Sequence, residues 1–192
     1  MTIGVLGGSF CPPTIAHLEL SKKCIEAGIC DEVIWVPVND AYRKSTNIPA
    51  KHRCEMVRLL LQNQPQISCS LHEQNHKEII RTYESLQELQ TLRPKDKLLF
   101  IAGADKLSFK WIQREAFVRD FGLILTNRED IDCEAVIAAS KTLSKYRNNI
   151  HVIDYKSSVS STQAREDILR RGDTNLVSTE VLAYIKRNNL FK

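Results

Sequence analysis

Apolar runs of strand length alternate with amphipathic helical segments along the whole chain, and few folds accommodate that order. Thr2 to Leu6, Glu32 to Val38 (EVIWVPV), Lys97 to Ala102 (KLLFIA) and Phe121 to Thr126 (FGLILT) read as strands, with Ile67 to Leu71 a weaker candidate and Ile150 to Tyr155 the last. Between them, Ile15, Leu18 and Ile25 recur at helical spacing in Thr14 to Ala27, and Pro49 opens a second helix with Ala50, Cys54, Val57 and Leu61 as its buried stripe. Ile79, Tyr83, Leu86 and Leu89 or Gln90 mark a third helix ending before Pro94. A fourth carries Trp111, Phe117 and Val118, a fifth ends at Gly172, and Ser178 to Asn188 closes the chain. Continuously apolar strands are covered on both faces, so the expectation is an α/β fold: a doubly wound, mainly parallel sheet with helices on both faces. Ligands of such sheets gather at the carboxyl ends of the strands, near the point where strand order reverses.

A length of 192 residues suits one domain spanning 1–192, with a C-terminal helical part from about residue 160. Hydrophobic residues at 43% and charged ones at 26% exclude disorder as the working state. The net charge of +4 is dispersed, with no basic stripe, which argues against a nucleic-acid partner. The first residues carry no basic region or long apolar stretch, so neither a secretory signal nor a membrane partner is expected, and an intracellular, cytoplasmic location is. Six cysteines without C-x-x-C spacing read as reduced, packed thiols, not as a zinc site or a disulfide framework. Glycine is scarce at seven residues, so each position is informative.

Two segments carry chemistry. The first strand runs into Gly7-Gly8-Ser9-Phe10-Cys11-Pro12-Pro13-Thr14-Ile15-Ala16-His17. Adjacent glycines let the backbone approach a ligand, and the following helix offers unpaired N–H groups and a positive dipole end to an anion. Thr14 and His17, three apart, share one face of its first turn. The pattern is neither G-x-G-x-x-G nor G-x-x-x-x-G-K-[ST], which takes support from dinucleotide oxidoreductases and P-loop NTPases. The second segment, Ser157-Ser158-Val159-Ser160-Ser161-Thr162-Gln163-Ala164-Arg165, follows the last strand and starts a helix, with Arg165 about one turn in. Hydroxyls, N–H groups and a guanidinium suit a pyrophosphate. Plain N-capping is the competing reading for both segments.

Together, G-G-S-F-x-P-x-T-x-x-H and S-S-T-x-x-R resemble the nucleotidyltransferase superfamily, and within it the nicotinamide/nicotinate mononucleotide adenylyltransferases. Pro37 to Lys44, Ile48-Pro49-Ala50, His52-Arg53, Ala102-Gly103-Ala104-Asp105, Trp111, Phe121 to Ile124 and Val181 to Phe191 extend the resemblance over nearly the whole chain, toward the eukaryotic-type branch. The resemblance implies a Rossmann-like nucleotidyltransferase fold. It also implies an enzyme that joins ATP to nicotinamide mononucleotide or nicotinate mononucleotide, releasing pyrophosphate, with Mg²⁺ accompanying ATP. By the same resemblance His17 and Thr14 meet the α-phosphate, while Gly7, Gly8, Ser9 and Phe10 approach the phosphates. Lys44 bridges the mononucleotide phosphate, and Ser160, Ser161, Thr162 and Arg165 hold the leaving phosphates. Gly103 and Asp105 meet a ribose, Trp111 stacks on the pyridine, and Thr82 and Ser85 are the counterparts of residues that bind the pyridine substituent. Ser9 and Phe10 are shared with the pyridine-nucleotide side.

The chain departs from the family in having Cys11 where Asp or Asn is common, which puts local loop geometry in question. A phosphopantetheine adenylyltransferase-like enzyme of the same superfamily, a binding module impaired at Cys11, and Cys11 as a nucleophile beside His17 are the alternatives. Arg53 and His52 read as structural, and His72 and His76 lack a third ligand for a metal. A homo-oligomer is left open.

Overall fold

The computed structural model describes residues 1–42, 48–104, 114–127 and 131–192. Its centre is β1 (Thr2–Gly8), flanked by β2 (Glu32–Pro37) on one side and β4 (Lys97–Gly103) on the other. β3 (Ile67–Cys69) lies outside β2, and β5 (Leu123–Thr126) and β6 (Ile150–Ile153) continue beyond β4, giving the order β3-β2-β1-β4-β5-β6. Every pairing is parallel. Strand order therefore reverses between β1 and β4, the place where such a sheet binds ligands.

The register shows how the crevice opens. β1 pairs with β4 from Thr2↔Lys97 only as far as Val5↔Phe100. Beyond that point β1 stays with β2 to Gly8↔Pro37, while β4 stays with β5 to Gly103↔Thr126. The two central strands part over their last three residues, and Gly7, Gly8 and Gly103 stand at the separated ends.

Alternating side chains build two cores, one on each face. Leu6, Val33, Trp35, Leu99, Ile101 and Ile124 join one cluster, with Cys24 of α1 (Ile15–Glu26), Met56 and Val57 of α2 (Ala50–Leu61), Ala164 and Ile168 of α7 (Ser161–Arg171), and Val181 and Ile185 of α8 (Thr179–Arg187). Ile3, Val5, Ile34, Val36, Leu98, Leu123 and Leu125 join the other. Facing them are Leu86 and Leu89 of α3 (Thr82–Leu92), Phe117 and Val118 of α4 (Arg114–Asp120), Ile137 of α5 (Cys133–Ala139) and Leu143 of α6 (Lys141–Lys145). Gly122 enters β5 at φ +81°, where a Cβ would stand 2.5 Å from the Asn149 carbonyl oxygen, so both conformation and space require glycine.

Several sequence expectations shift. Thr14 and Pro49 are N-caps, outside their helices. Tyr155 lies beyond β6, where its hydroxyl donates to the Ala16 carbonyl (3.1 Å). Ile79 is 57% exposed and precedes α3, because the helix starts only where Glu84 reaches back to the Arg81 N–H (3.0 Å). On α2 the buried stripe runs through Arg53 and Met56, and Cys54 is only half-buried. A buried arginine on an apolar stripe needs compensation, which comes from backbone carbonyls described below.

Candidate active site

The loop between β1 and α1 wraps back so that Phe10 lies flat on Trp35 of β2, ring centroids 4.8 Å apart and 8° from parallel. Phe10 adopts φ +46°, a left-handed conformation costing roughly 1–2 kcal/mol in an L-residue. Burial and the stack on Trp35 offset that cost. The His17 ring meets Phe10 edge-on at 5.3 Å and Trp35 at 5.8 Å. Trp35 Nε1 donates to Ser21 Oγ (2.9 Å), which donates to the His17 carbonyl (2.9 Å). At the other end, the Thr14 backbone N–H donates to His17 Nδ1 (3.1 Å), and Thr14 Oγ1 lies 2.7 Å from the same nitrogen. A backbone N–H can only donate, so Nδ1 accepts and the neutral ring carries its proton on Nε2.

The serine-rich segment is fastened to this loop. Arg165 Nη1 donates to the Cys11 carbonyl (2.7 Å), and Ser161 Oγ donates to the Pro12 carbonyl (2.7 Å). Arg165 Nη2 also donates to Thr162 Oγ1 (3.1 Å), and Ser160 Oγ caps α7 by accepting from the Gln163 N–H (3.1 Å). The N-termini of α1 and α7 are thereby held side by side, two positive dipole ends beside the parted ends of β1 and β4. Thr162 is exposed, while Ser160, Ser161 and Arg165 are half-buried.

A third group lies at the carboxyl ends of β2 and β3. Ser85 Oγ donates to Glu73 Oε1 (2.6 Å), which obliges it to accept from His72 Nε2 (2.8 Å) and leaves His72 Nδ1 to accept from Ser70 Oγ (2.9 Å). Burial holds the His72 imidazole below the usual histidine range and pushes the Glu73 carboxyl up. His76 Nε2 pairs with Glu88 Oε2 (2.9 Å), and Asn39 Nδ2 donates to the Glu78 carbonyl (2.6 Å). Ser85 is thus buried with its hydroxyl engaged on both sides; Thr82 stands exposed at the first position of α3.

Among the described residues no three His, Cys, Asp or Glu side chains gather where they could hold a metal ion, and no helix is long and apolar enough to cross a membrane. None of the six cysteines is in a disulfide. Burial pushes the thiols of Cys24 and Cys69 up to about 12 and that of Cys30 to about 11.

The profile of the cytidylyltransferase-like family matches residues 5–167. Over 99% of its length the chain is 31% identical to a probable nicotinate-nucleotide adenylyltransferase of Carboxydothermus hydrogenoformans, covering 98% of that protein. The chain belongs to the nicotinate-nucleotide adenylyltransferases of the cytidylyltransferase-like family. It is also 32% identical to a nicotinamide/nicotinic acid mononucleotide adenylyltransferase of Oryza sativa, over 98% of the chain and 85% of the rice protein. Among solved structures, a Plasmodium falciparum nicotinic acid mononucleotide adenylyltransferase complexed with NaAD superposes with a TM-score of 0.79 at 24% identity, covering 99% of this chain and 97% of that one. That likeness bears out the Rossmann-like nucleotidyltransferase fold.

In this adenylyltransferase the structure brings together Gly7, Gly8, Ser9, Phe10, Thr14, His17, Ser161 and Arg165, with Gly103 across the opening between the strands. Lys44, Asp105 and Trp111 lie outside the described residues. Thr82 and Ser85 sit on α3 beside the third group, away from the two joined helix ends in sequence and in sheet position. Cys11 is completely buried, and its carbonyl, not its thiol, holds the contact with Arg165. Sequence reasoning gives Trp35 and Ser21 no part in the site and reads Arg53 as structural only. Their only signals were a tryptophan inside a strand and a charged residue on a helix stripe.

Proposed function

We propose that the chain transfers the adenylyl group of ATP to nicotinamide mononucleotide and/or nicotinate mononucleotide, giving NAD or deamido-NAD and pyrophosphate. The observation that carries this reading is the fastening of the α7 N-terminus to the loop entering α1, with His17 in the first turn of α1. A mononucleotide 5′-phosphate oxygen attacks the α-phosphorus, a new P–O bond forms, and the bond from the α-phosphorus to the bridging oxygen of pyrophosphate breaks, its electron pair leaving with pyrophosphate. Charge rises on the non-bridging α-oxygens and on the leaving group. The protein's task is to align two anions and neutralise that charge.

His17 Nε2–H donates to the α-phosphate, in the tautomer that the Thr14 N–H selects. Gly7, Gly8, Ser9 and Phe10 present backbone to the phosphates, and Lys44 draws in the mononucleotide phosphate. Arg165 and the first N–H groups of α7 receive the departing β,γ-phosphates, while the hydroxyls of Ser160 and Ser161 hold the loop and helix in place. Gly103 and Asp105 take a ribose, Trp111 the pyridine ring, and the exposed Thr82 the pyridine substituent, while the Ser85 hydroxyl, engaged by Glu73 and His72, supports the start of α3. Mg²⁺ would accompany ATP and offset phosphate charge there.

The test is to incubate the purified protein with Mg-ATP and each mononucleotide in turn and to measure dinucleotide and pyrophosphate together. Formation of both in equal amounts is expected; no product with either mononucleotide would end the proposal.

A further inference from the structure

Arg53 is 4% exposed, projects from the apolar stripe of α2, and has no part in the transfer as described above. Its guanidinium donates to four oxygens: Nη1 to the Ser9 carbonyl (2.9 Å), Nη2 to the Val38 carbonyl (2.7 Å) and to Asp40 Oδ1 (3.3 Å), and Nε to the Ile48 carbonyl (3.2 Å). Asp40 itself is 63% exposed and also accepts the Ala50 N–H (2.6 Å). A buried cation is a poor device for stability alone, since an apolar side chain on this stripe would pack without desolvation. What the guanidinium offers instead is a rigid planar fork reaching several acceptors at once, which a lysine cannot reproduce.

The Ser9 carbonyl is one of a set in the loop after β1 that are taken by protein donors. Gly8 O takes the Val38 N–H (3.0 Å), Ser9 O takes Arg53, Cys11 O takes Arg165 and Pro12 O takes Ser161. In a trans peptide the N–H points opposite to the C=O. Fixing Ser9 O therefore fixes the direction of the Phe10 N–H, and fixing Gly8 O fixes that of Ser9.

We infer that Arg53 is a positioning residue for adenylyl transfer: by gripping the Ser9 carbonyl it orients the Ser9–Phe10 peptide so that N–H, not C=O, faces the transferring phosphate. The same fork ties this peptide to Val38, Asp40 and Ile48, so the phosphate loop and the start of α2 keep a set spacing. The inference rests on the adenylyl-transfer reading.

Two readouts test it, one independent of turnover. In Arg53→Lys, at a temperature well below unfolding, kcat falls at least 10-fold while the KM values for ATP and mononucleotide stay within about 3-fold, because ordering is lost where charge develops. Backbone amide exchange in residues 8–11 quickens at least 10-fold. Arg58→Lys, an exposed change on the same helix, leaves both readouts at parent values. A folded Arg53→Lys with kcat within 2-fold of parent, or with unaltered exchange in 8–11, overturns the inference. If Arg53→Lys does not fold, Asp40→Ala takes its place. Asp40 touches Arg53 and Ala50 but not the loop, so faster exchange in 8–11 supports transmission through Arg53 and unchanged exchange overturns it. If the parent itself forms no dinucleotide, the adenylyl-transfer reading fails and the exchange result alone decides whether Arg53 orients the loop.

Discussion

The Thr14 backbone N–H holds the His17 ring in one tautomer, and that bond decides what the ring can offer a phosphate. His17→Ala is expected to lower kcat by about 100- to 1000-fold, the usual effect of removing one donor to developing charge, with little change in the ATP KM; steady-state kinetics with both substrates checks it. Cys11 gives the opposite expectation. Its thiol is fully buried, so Cys11→Ala keeps kcat within a few-fold, and iodoacetamide on the native protein leaves turnover largely intact. Loss of activity in both experiments would restore the thiol as a participant. Thr14 and His17 could be recognised from sequence because their contact is local, three residues apart on one turn. Arg53 is legible in the sequence as a structural residue but not as a partner of the loop, since its partners Ser9 and Val38 are 44 and 15 residues away and are backbone oxygens that leave no mark in the sequence.

At the scale of elements, the site depends on how helix ends are joined to strands. Ser161 links α7 to Pro12 through one hydrogen bond across 149 residues. Ser161→Ala leaves that carbonyl short of a donor and costs about 1 kcal/mol, or about 2–4 °C in Tm for a chain of this size. Thermal unfolding with and without pyrophosphate measures it, and the stabilisation by pyrophosphate is predicted to shrink in the variant. An unchanged Tm and unchanged pyrophosphate response would mean the link to Pro12 is idle. Trp35 is the corresponding element on β2, supporting His17 through Ser21. Trp35→Phe keeps an aromatic face for Phe10 but removes the indole donor, so kcat is expected to fall several-fold with the fold intact by circular dichroism. Most elements were readable as apolar periodicity, because strands covered on both faces and amphipathic helices have distinct repeats. The start of α3 was not. Ile79 continued the helical spacing, yet the capping contact of Glu84 with Arg81 begins the helix at Thr82 and leaves Ile79 in solvent.

Across the whole molecule, the reversal of strand order between β1 and β4 gathers groups from distant parts of the chain at one end of the sheet. That convergence followed from the alternation of strands and helices, whereas the parting of β1 and β4 after Val5↔Phe100 depends on pairings no single segment reveals. Global stability should also respond to pH through buried groups. His72 and His151 are both held below the ordinary histidine value of 6.5, chiefly by burial. The unfolded chain then binds protons more readily, so stability is full above about 6.5 and declines as pH falls from there toward the lower folded values. Glu73, raised by burial, opposes this, and His76 and Glu88 face the same cluster. His72→Gln is predicted to flatten the fall in Tm between pH 7 and pH 5; an unaltered slope would place the acid sensitivity elsewhere. The most direct measurement of the central claim uses mononucleotide labelled with ¹⁸O in its phosphate and follows the label by mass spectrometry after turnover with Mg-ATP. The predicted result is a dinucleotide that retains all the label, one atom of it bridging the two phosphorus atoms, together with unlabelled pyrophosphate. Label in the pyrophosphate, or no dinucleotide with either mononucleotide, would contradict attack of the mononucleotide phosphate on the α-phosphorus at this site.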